Sequence, residues 1–479
     1  MNTQELRANL EKDYKLLVFA DFAEVSHSPT AAYKLLESVR KDEFADRERI
    51  VFYGNYPDPE LVNHVARARE LLDIGEFFCI WQNDISDAGI PGTGYQVNSD
   101  TFCPLLWGHL EVRHNGDVYP CCVSKEFIGN GNDNTLTELY HSDQMNRIRT
   151  ELLSGVQSKG CEKCWRHEAE GLQSNRQWHI GKNSRDFYST WHDDLKVRSL
   201  DLKPGNVCNF KCRVCNPTSS SLVAEEVRQS QRQRGISIPV VGDRWAGYNE
   251  FMWGELDRLI PDVENLDFYG GEPFLLKELK TFLHSAVANG HADHIRLHFN
   301  TNGSVYPEDL IDTLRQFREV DVCLSIDNVG IQFELERGGT WTAVEQNILR
   351  FKELTADPVF KVSIFPTVNI QNIYYLDRLY EWADQHNIMV TLNYLDDPDY
   401  LSIDSMTSAA RDLVVDKYQT SSNESLRNLA QRIKSSAGSN GQKFIKTVAY
   451  YDRIRSQDFT KTHTEIAQAM GYTGLNNDN

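Results

Sequence analysis

Long apolar runs are missing from this chain. None approaches the roughly 20 consecutive apolar residues that a membrane-spanning helix needs, and Met1 to Leu10 open polar and helical, without the apolar core of a signal peptide. The expectation is a cytoplasmic protein with no membrane contact. Cysteine is scarce: ten in 479 residues are too few, and too clustered, for a disulfide scaffold. Basic residues are in deficit, 50 against 69 acidic, for a formal charge of −19. That balance argues against a general nucleic-acid binder, whose affinity comes from neutralising phosphates. There is no internal repeat.

What is present is cysteine in two groups. The run Asn206-Val-Cys208-Asn-Phe-Lys-Cys212-Arg-Val-Cys215-Asn-Pro217 spaces three thiols C-x3-C-x2-C after a predicted strand. Three thiolates can hold a four-iron four-sulfur cluster while one iron stays open to a small molecule. A zinc site with a borrowed fourth ligand is the alternative on spacing alone. Further along, Asn265-Leu-Asp-Phe-Tyr269 reads as a buried strand, closed by Gly270-Gly271-Glu272-Pro273. The glycines let backbone approach a ligand, and Glu272 can accept from an ammonium. The strand Ile295-Arg-Leu-His-Phe299 ends in Asn300-Thr301-Asn302-Gly303, and Val322-Cys-Leu-Ser325-Ile-Asp327 ends a further strand in polar groups. Taken singly, Asn302-Gly303 and Asp327-Asn328 read as turn and cap chemistry. In parallel α/β folds, however, ligand contacts gather at the carboxyl ends of strands.

Together these elements resemble the radical S-adenosylmethionine (SAM) superfamily. The resemblance implies a SAM-cleaving 4Fe-4S cluster on Cys208, Cys212 and Cys215, with Gly270, Gly271 and Glu272 at the methionine amino group and Asn302, Ser325 and Asp327 seating SAM. Arg337, in Arg337-Gly-Gly-Thr-Trp341, is similar to an Arg-containing turn of the family and would pair with the SAM carboxylate. The residue before the third cysteine is usually aromatic there and is Val214 here, so Phe210 is the candidate to pack near the adenine. The chemistry implied is reductive cleavage of SAM to a 5′-deoxyadenosyl radical and hydrogen-atom abstraction from a substrate. The predicted fold is α/β: six strands between about 195 and 400, each followed by a helical or connecting stretch, form a partial (β/α)6 barrel.

The second group precedes this core. Cys103 is followed by His114-Asn-Gly116-Asp, a hairpin turn, then Pro120-Cys121-Cys122, and later by Cys161-Glu-Lys-Cys164. Four thiolates, from Cys103, Cys121, Cys161 and Cys164, can fully ligate an iron-sulfur cluster or a zinc. The pattern C-x12-G-x4-C … C-x2-C resembles the Twitch module, the single-cluster version of the SPASM domain, placed here upstream of the core rather than after it. The resemblance implies an auxiliary 4Fe-4S cluster. Strand alternation turns Cys122 to the opposite face, as a spare thiol or substitute ligand. Cys79 and Cys323 lie in apolar strands and read as inert core residues.

The domains expected are a small α/β unit over 1–98, a βαβαβ layer without a Gly-rich phosphate loop; a Twitch-like unit over 99–194; the radical SAM core over 195–400; and a helical extension over 401–479 with a break at 435–441. Many Twitch and SPASM members act on ribosomal peptides or proteins, so a peptide or protein side chain is the expected substrate, with flavodoxin or ferredoxin as electron donor. A small-molecule dehydrogenase or cofactor-biosynthesis enzyme of the same superfamily is the alternative. A non-catalytic metal-cluster scaffold is a third reading.

Overall fold

A computed structural model describes residues 49–54, 76–81, 101–183, 195–235, 249–395, 397–434 and 441–475. It divides into two compact units, one within Met1–Glu111 and Val118–Arg198, the other within Val112–Asp117 and Ser199–Asn479.

In the first unit, strands β1 (Arg49–Gly54) and β2 (Glu76–Trp81) pair in parallel, Arg49 against Glu76. The strand expected at 14–20 and the helices expected near 30–40 and 59–72 lie outside the described residues. The hairpin expected around Asn115-Gly116 forms from β3 (His109–Val112) and β4 (Asp117–Tyr119), with a short β5 (Gly129–Asn130) beside β4. Gly116 sits at φ +86°, a conformation that glycine adopts without steric cost. Four helices follow, at Leu136–Tyr140, Asp143–Leu153, Glu162–Ala169 and Asn175–Asn183. The first two start on Thr135 and Ser142, whose hydroxyls accept the N–H groups of Glu138 and Met145.

The second unit is built on six parallel strands: β6 (Ser199–Leu202), β7 (Asn265–Phe268), β8 (Arg296–Thr301), β9 (Glu319–Leu324), β10 (Phe360–Ile364) and β12 (Met389–Val390). They lie side by side in chain order. Two short strands, β11 (Thr367–Val368) and β13 (Asn393–Tyr394), pair separately. An order that never reverses, joined by crossovers of one hand, puts the connecting helices on one face, as in a partial (β/α)6 barrel.

The alternation of the strands matches that wrapping. Leu200, Leu202, Leu266, Phe268, Leu297, Phe299, Val320, Val322 and Leu324 are buried, and the Phe299 ring packs on Phe268 and Phe274. The other face is polar. Register partners share a face, so Asp201, Asp267, His298 and Asp321 form one lateral row, and Asn300, Cys323 and Ser363 the next toward the strands' carboxyl ends. The residues expected as a helical extension belong to this same compact unit. Helices Ser408–Tyr418, Glu424–Lys434 and Gln442–Arg455 and the turns after them bury Val414, Leu429, Phe444, Val448 and Phe459.

Candidate functional site

The site occupies the carboxyl ends of β6 to β9. After β6 the chain runs extended into the loop of Cys208, Cys212 and Cys215. Cys208 and Cys212 are buried and Cys215 is half-buried. Around these thiols stand polar groups from two other strand ends and from the end of helix Gly330–Arg337. Asn302 Nδ2, after β8, donates to Cys208 Sγ at 3.7 Å and to Asn209 Oδ1 at 3.1 Å. Phe210 N–H also points at Cys208 Sγ, at 3.4 Å. Arg337 Nη1, after β9, donates to Cys212 Sγ at 3.5 Å. Cys212 is held below its ordinary thiol value by the hydrogen bond from Cys215 and by the Arg337 charge, whereas burial pushes Cys208 up to about 11.

The Gly-Gly-Glu turn after β7 is where backbone comes close to this loop. Gly270 and Gly271 have φ of +75° and +59°, and a Cβ on Gly271 would stand 2.3 Å from the Val207 carbonyl oxygen. Only glycine lets Glu272 N–H reach that carbonyl, at 2.7 Å. Glu272 is fully buried. Its Oε1 accepts from Thr301 Oγ1 at 2.8 Å and Phe274 N–H at 3.3 Å, and its Oε2 accepts from Asn302 N–H at 2.8 Å. A carboxylate has about four acceptor positions, so one stays available. Despite three donors, burial raises Glu272 to about 7. A buried carboxyl in that state is suited to a cationic partner, such as an ammonium.

Asp327 and Arg337 serve each other rather than standing apart. Arg337 Nε lies 2.9 Å from Asp327 Oδ2, and Arg337 also donates to the Ser325 carbonyl oxygen. Asp327 Oδ1 accepts from Thr367 N–H at 2.8 Å. Burial raises Asp327 to about 7, with Arg337 opposing. Asp327 and Arg337, both expected at SAM, form a buried ion pair beside Cys212. Phe210, expected near an adenine, is buried with its ring packed edge-on to Phe333 and over Gly339, where any Cβ would meet it at 2.2 Å.

Sequence reasoning missed the residues beneath the cysteine loop. Arg213, between two cysteines, has a side chain only 1 % exposed and is paired with Asp452, whose side chain is equally buried. Asp452 Oδ2 also accepts from Phe459 N–H and Tyr472 OH, both at 2.9 Å. Arg455 forks onto Glu226, with contacts of 3.0 and 2.7 Å, and donates to the Lys211 carbonyl at 2.6 Å. The C-terminal helices therefore hold the loop from below. An arginine inside a cysteine motif gave a weak signal; its partners lie more than 200 residues away.

In the first unit, Cys103, Cys121 and Cys164 are buried and Cys161 is half-buried. Burial is the main cause that raises Cys103, and the thiols of Cys161 and Cys164 add to it; Cys121 is raised by burial and then by Cys122, Cys103 and Cys161. Burial pushes Cys161 up to about 12, with Cys164 the next cause. The four thiols thus share one low-dielectric pocket, drawn from the hairpin and from the Cys-x2-Cys turn. Arg176 fastens the pocket: it donates to the Phe102 carbonyl at 2.8 Å, pairs with Glu168 at 2.6 Å and lies over the Trp165 ring. Cys122 is exposed; it lies past the end of β4, in a turn, where strand alternation does not apply.

Among the described residues, only His298, Asp321 and Cys323 bring three ligating atoms within 4.8 Å of one another. No three of the other cysteines approach the separation of about 3.8 Å set by one tetrahedral zinc with 2.3 Å bonds. Cys323 is buried, as expected, and lies on the polar face, with Sγ 3.4 Å from Ser363 Oγ. Its apolar neighbours point the other way.

Comparison with known proteins agrees with this division. Residues 202–383 match the model of the radical SAM superfamily, and residues 103–165 that of SPASM, an iron-sulfur cluster-binding domain. The second match opens at Cys103 and closes just past Cys164. No curated protein matches the chain. Among solved structures, anSMEcpe with bound AdoMet and Kp18Cys peptide is 18 % identical over 49 % of this chain and 62 % of that one, with a TM-score of 0.34. Streptococcus suis SuiB bound to S-adenosylmethionine is 14 % identical over 63 % of this chain and 61 % of that one, at 0.30, and SuiB bound to precursor peptide SuiA is 14 % identical over 64 % and 65 %, at 0.31. The chain spans less than two thirds of the length of each. Among the described residues, no helix is long and apolar enough to cross a membrane.

Proposed function

We propose that this chain, a radical SAM enzyme with a SPASM-type cluster domain ahead of its core, abstracts a hydrogen atom from a peptide or protein side chain. The observation that carries the reading is the loop of Cys208, Cys212 and Cys215, with Glu272 and Asn302 beside it at strand ends and Arg337 at the end of helix Gly330–Arg337. When bound, the cluster and SAM supply the 5′-deoxyadenosyl radical. The protein's part is to bind, orient and exclude water.

Cys208, Cys212 and Cys215 are the ligands of the SAM-cleaving 4Fe-4S cluster. Gly270 and Gly271 bring backbone up to SAM, Glu272 offers its remaining acceptor position to the amino group, and Asn302 and Ser325 complete the seat. Asp327 and Arg337 act one step removed: their ion pair fixes the guanidinium against Cys212, where positive charge favours the thiolate that a metal requires. Cys103, Cys121, Cys161 and Cys164 saturate an auxiliary 4Fe-4S cluster, which has no open position and suits electron transfer or structural support. The peptide reading rests on the SPASM-type domain, many of whose members act on ribosomal peptides or proteins. Flavodoxin or ferredoxin serves as electron donor, and the site of action is the cytoplasm.

The test is anaerobic reconstitution followed by reduction with dithionite in the presence of SAM. Formation of 5′-deoxyadenosine, lost when Cys208, Cys212 and Cys215 are replaced by alanine, supports the reading. Its absence from fully iron-loaded protein refutes it. Deuterium transfer from a labelled peptide into 5′-deoxyadenosine, against none from small metabolites, decides the substrate class.

A further inference from the structure

The polar face of the parallel sheet holds a cluster that the cysteine loop does not use. His298 and Asp321 are register partners on β8 and β9, and Cys323 lies two residues further along β9 on the same face. His298 Nδ1 is 3.1 Å from Asp321 Oδ2, and one nitrogen, one oxygen and one sulfur come within 4.8 Å of one another. The His298 and Asp321 side chains keep 15 % and 19 % of their surface exposed, so the group is lined into the sheet without being sealed.

We propose that Cys323, His298 and Asp321 form a binding site for a zinc-like divalent cation. The donor types are those zinc takes: thiolate, imidazole and carboxylate. Two ligands on one tetrahedral zinc, with bonds of 2.0 to 2.1 Å, stand about 3.3 Å apart, close to the nitrogen–oxygen separation already present. Central strands hold all three side chains, so little order is lost on binding. The outer partners that orient metal ligands are also in place. Arg296 Nη2 donates to Asp321 Oδ2 at 2.8 Å, Ser363 Oγ stands 3.4 Å from Cys323 Sγ, and the Tyr269 ring lies 5.8 Å from that of His298. Arg296 is shared among Asp321 at 2.8 Å, Glu319 at 2.9 Å and Asp267 at 3.8 Å, so its charge is balanced by three carboxylates and does not fall on Asp321 alone.

Three protein ligands leave a fourth position for water or a substrate donor atom, the pattern of catalytic rather than structural zinc. The site is not that of the cysteine loop: His298 precedes Thr301, the partner of Glu272, by three residues, about 10 Å of strand. A substrate reaching down the polar face would meet the cation through a thiolate, carboxylate or carbonyl oxygen. The proposal rests on the sheet alone and does not depend on the radical reading.

The experiment uses full-length protein with its iron reconstituted anaerobically, equilibrated with zinc sulfate and then desalted. Metal content is read per chain, and the zinc absorption edge reports the neighbouring atoms. The expected result is about one retained zinc, with a single sulfur among nitrogen and oxygen neighbours. His298→Ala and Cys323→Ser should each lose it, with iron unchanged. Wild-type protein that retains no zinc, variants that retain as much as wild type, or a shell of several sulfurs, which would put the metal on Cys103, Cys121, Cys161 and Cys164, each overturns the proposal. Should a variant fold poorly, the edge spectrum of the wild type decides the matter alone.

Discussion

Replacing Asp452 by alanine should loosen the cysteine loop without touching a ligand. The change leaves Arg213 charged, with a side chain 1 % exposed and its main partner gone. Removing one member of a buried ion pair costs about 3 to 5 kcal/mol, because the surviving charge stays desolvated. Gln457 Oε1, 2.9 Å from Arg213 Nη2, remains as a neutral acceptor and keeps the cost toward the lower end. The Phe459 N–H and Tyr472 hydroxyl also lose their acceptor, each adding about 1 kcal/mol or more. Because the chain has two compact units, a single denaturation midpoint is a poor measure. Amide hydrogen exchange of the peptide spanning 208–215 reports the loop directly, and a loss of 3 to 5 kcal/mol speeds its exchange by about two to four powers of ten. The double variant Arg213→Met, Asp452→Leu should recover much of the protection, since apolar replacement of a buried pair is often neutral. If Asp452→Ala exchanges this peptide at the wild-type rate, the pair is not what holds the loop.

Further outcomes are expected. Glu272 is raised by burial from an ordinary value near 4.5 to about 7, so its contribution to stability is full below pH 4.5 and is lost as pH rises through 7. In cluster-free protein, wild type relative to Glu272→Gln should therefore lose up to about 3 kcal/mol between pH 4.5 and 8, measured by chemical unfolding of the core; a pH-independent difference contradicts the buried carboxyl. Gly271→Ala places a Cβ 2.3 Å from a backbone oxygen at φ +59°, so it should abolish SAM binding in calorimetry while about half the iron, that of the auxiliary set, remains. Wild-type protein should hold about eight irons and the Cys208, Cys212, Cys215 triple alanine variant about four; stoichiometric zinc with no iron after anaerobic loading would sink both cluster assignments. Replacing Cys161 and Cys164 together should spare 5′-deoxyadenosine formation and abolish modified product, with circular dichroism as the folding control. Normal product formation from that folded variant would make the upstream set purely structural.

The parts legible in the sequence were those encoded over short spans. The C-x3-C-x2-C run, the Gly-Gly-Glu turn and the polar strand ends each carry their chemistry within a few residues, and the alternation of β8 placed Arg296, His298 and Asn300 on one face. What local pattern could not supply was register and distance. Cys323 sits in the run Val-Cys-Leu, which reads as core, and only its pairing with Asn300 and Ser363 shows that it faces polar neighbours. Nothing local to Arg337 showed that it would pair with Asp327. Arg213 had no visible role, since Asp452 and Arg455 lie in helices whose sequence resembles any amphipathic surface helix.

The tie between Arg213 and Asp452 has a consequence in time. The two residues are 239 positions apart, and at a synthesis rate of about 5 to 20 residues per second the second emerges about 12 to 50 seconds after the first. Throughout that interval the nascent cysteine loop lacks the counter-charge beneath Arg213 and the clamp from Arg455. Metal delivered then would meet thiols without their final arrangement, exposed to oxidation and to the wrong ion. A cluster that needs the finished loop would therefore be inserted only after helix Gln442–Arg455 has been made.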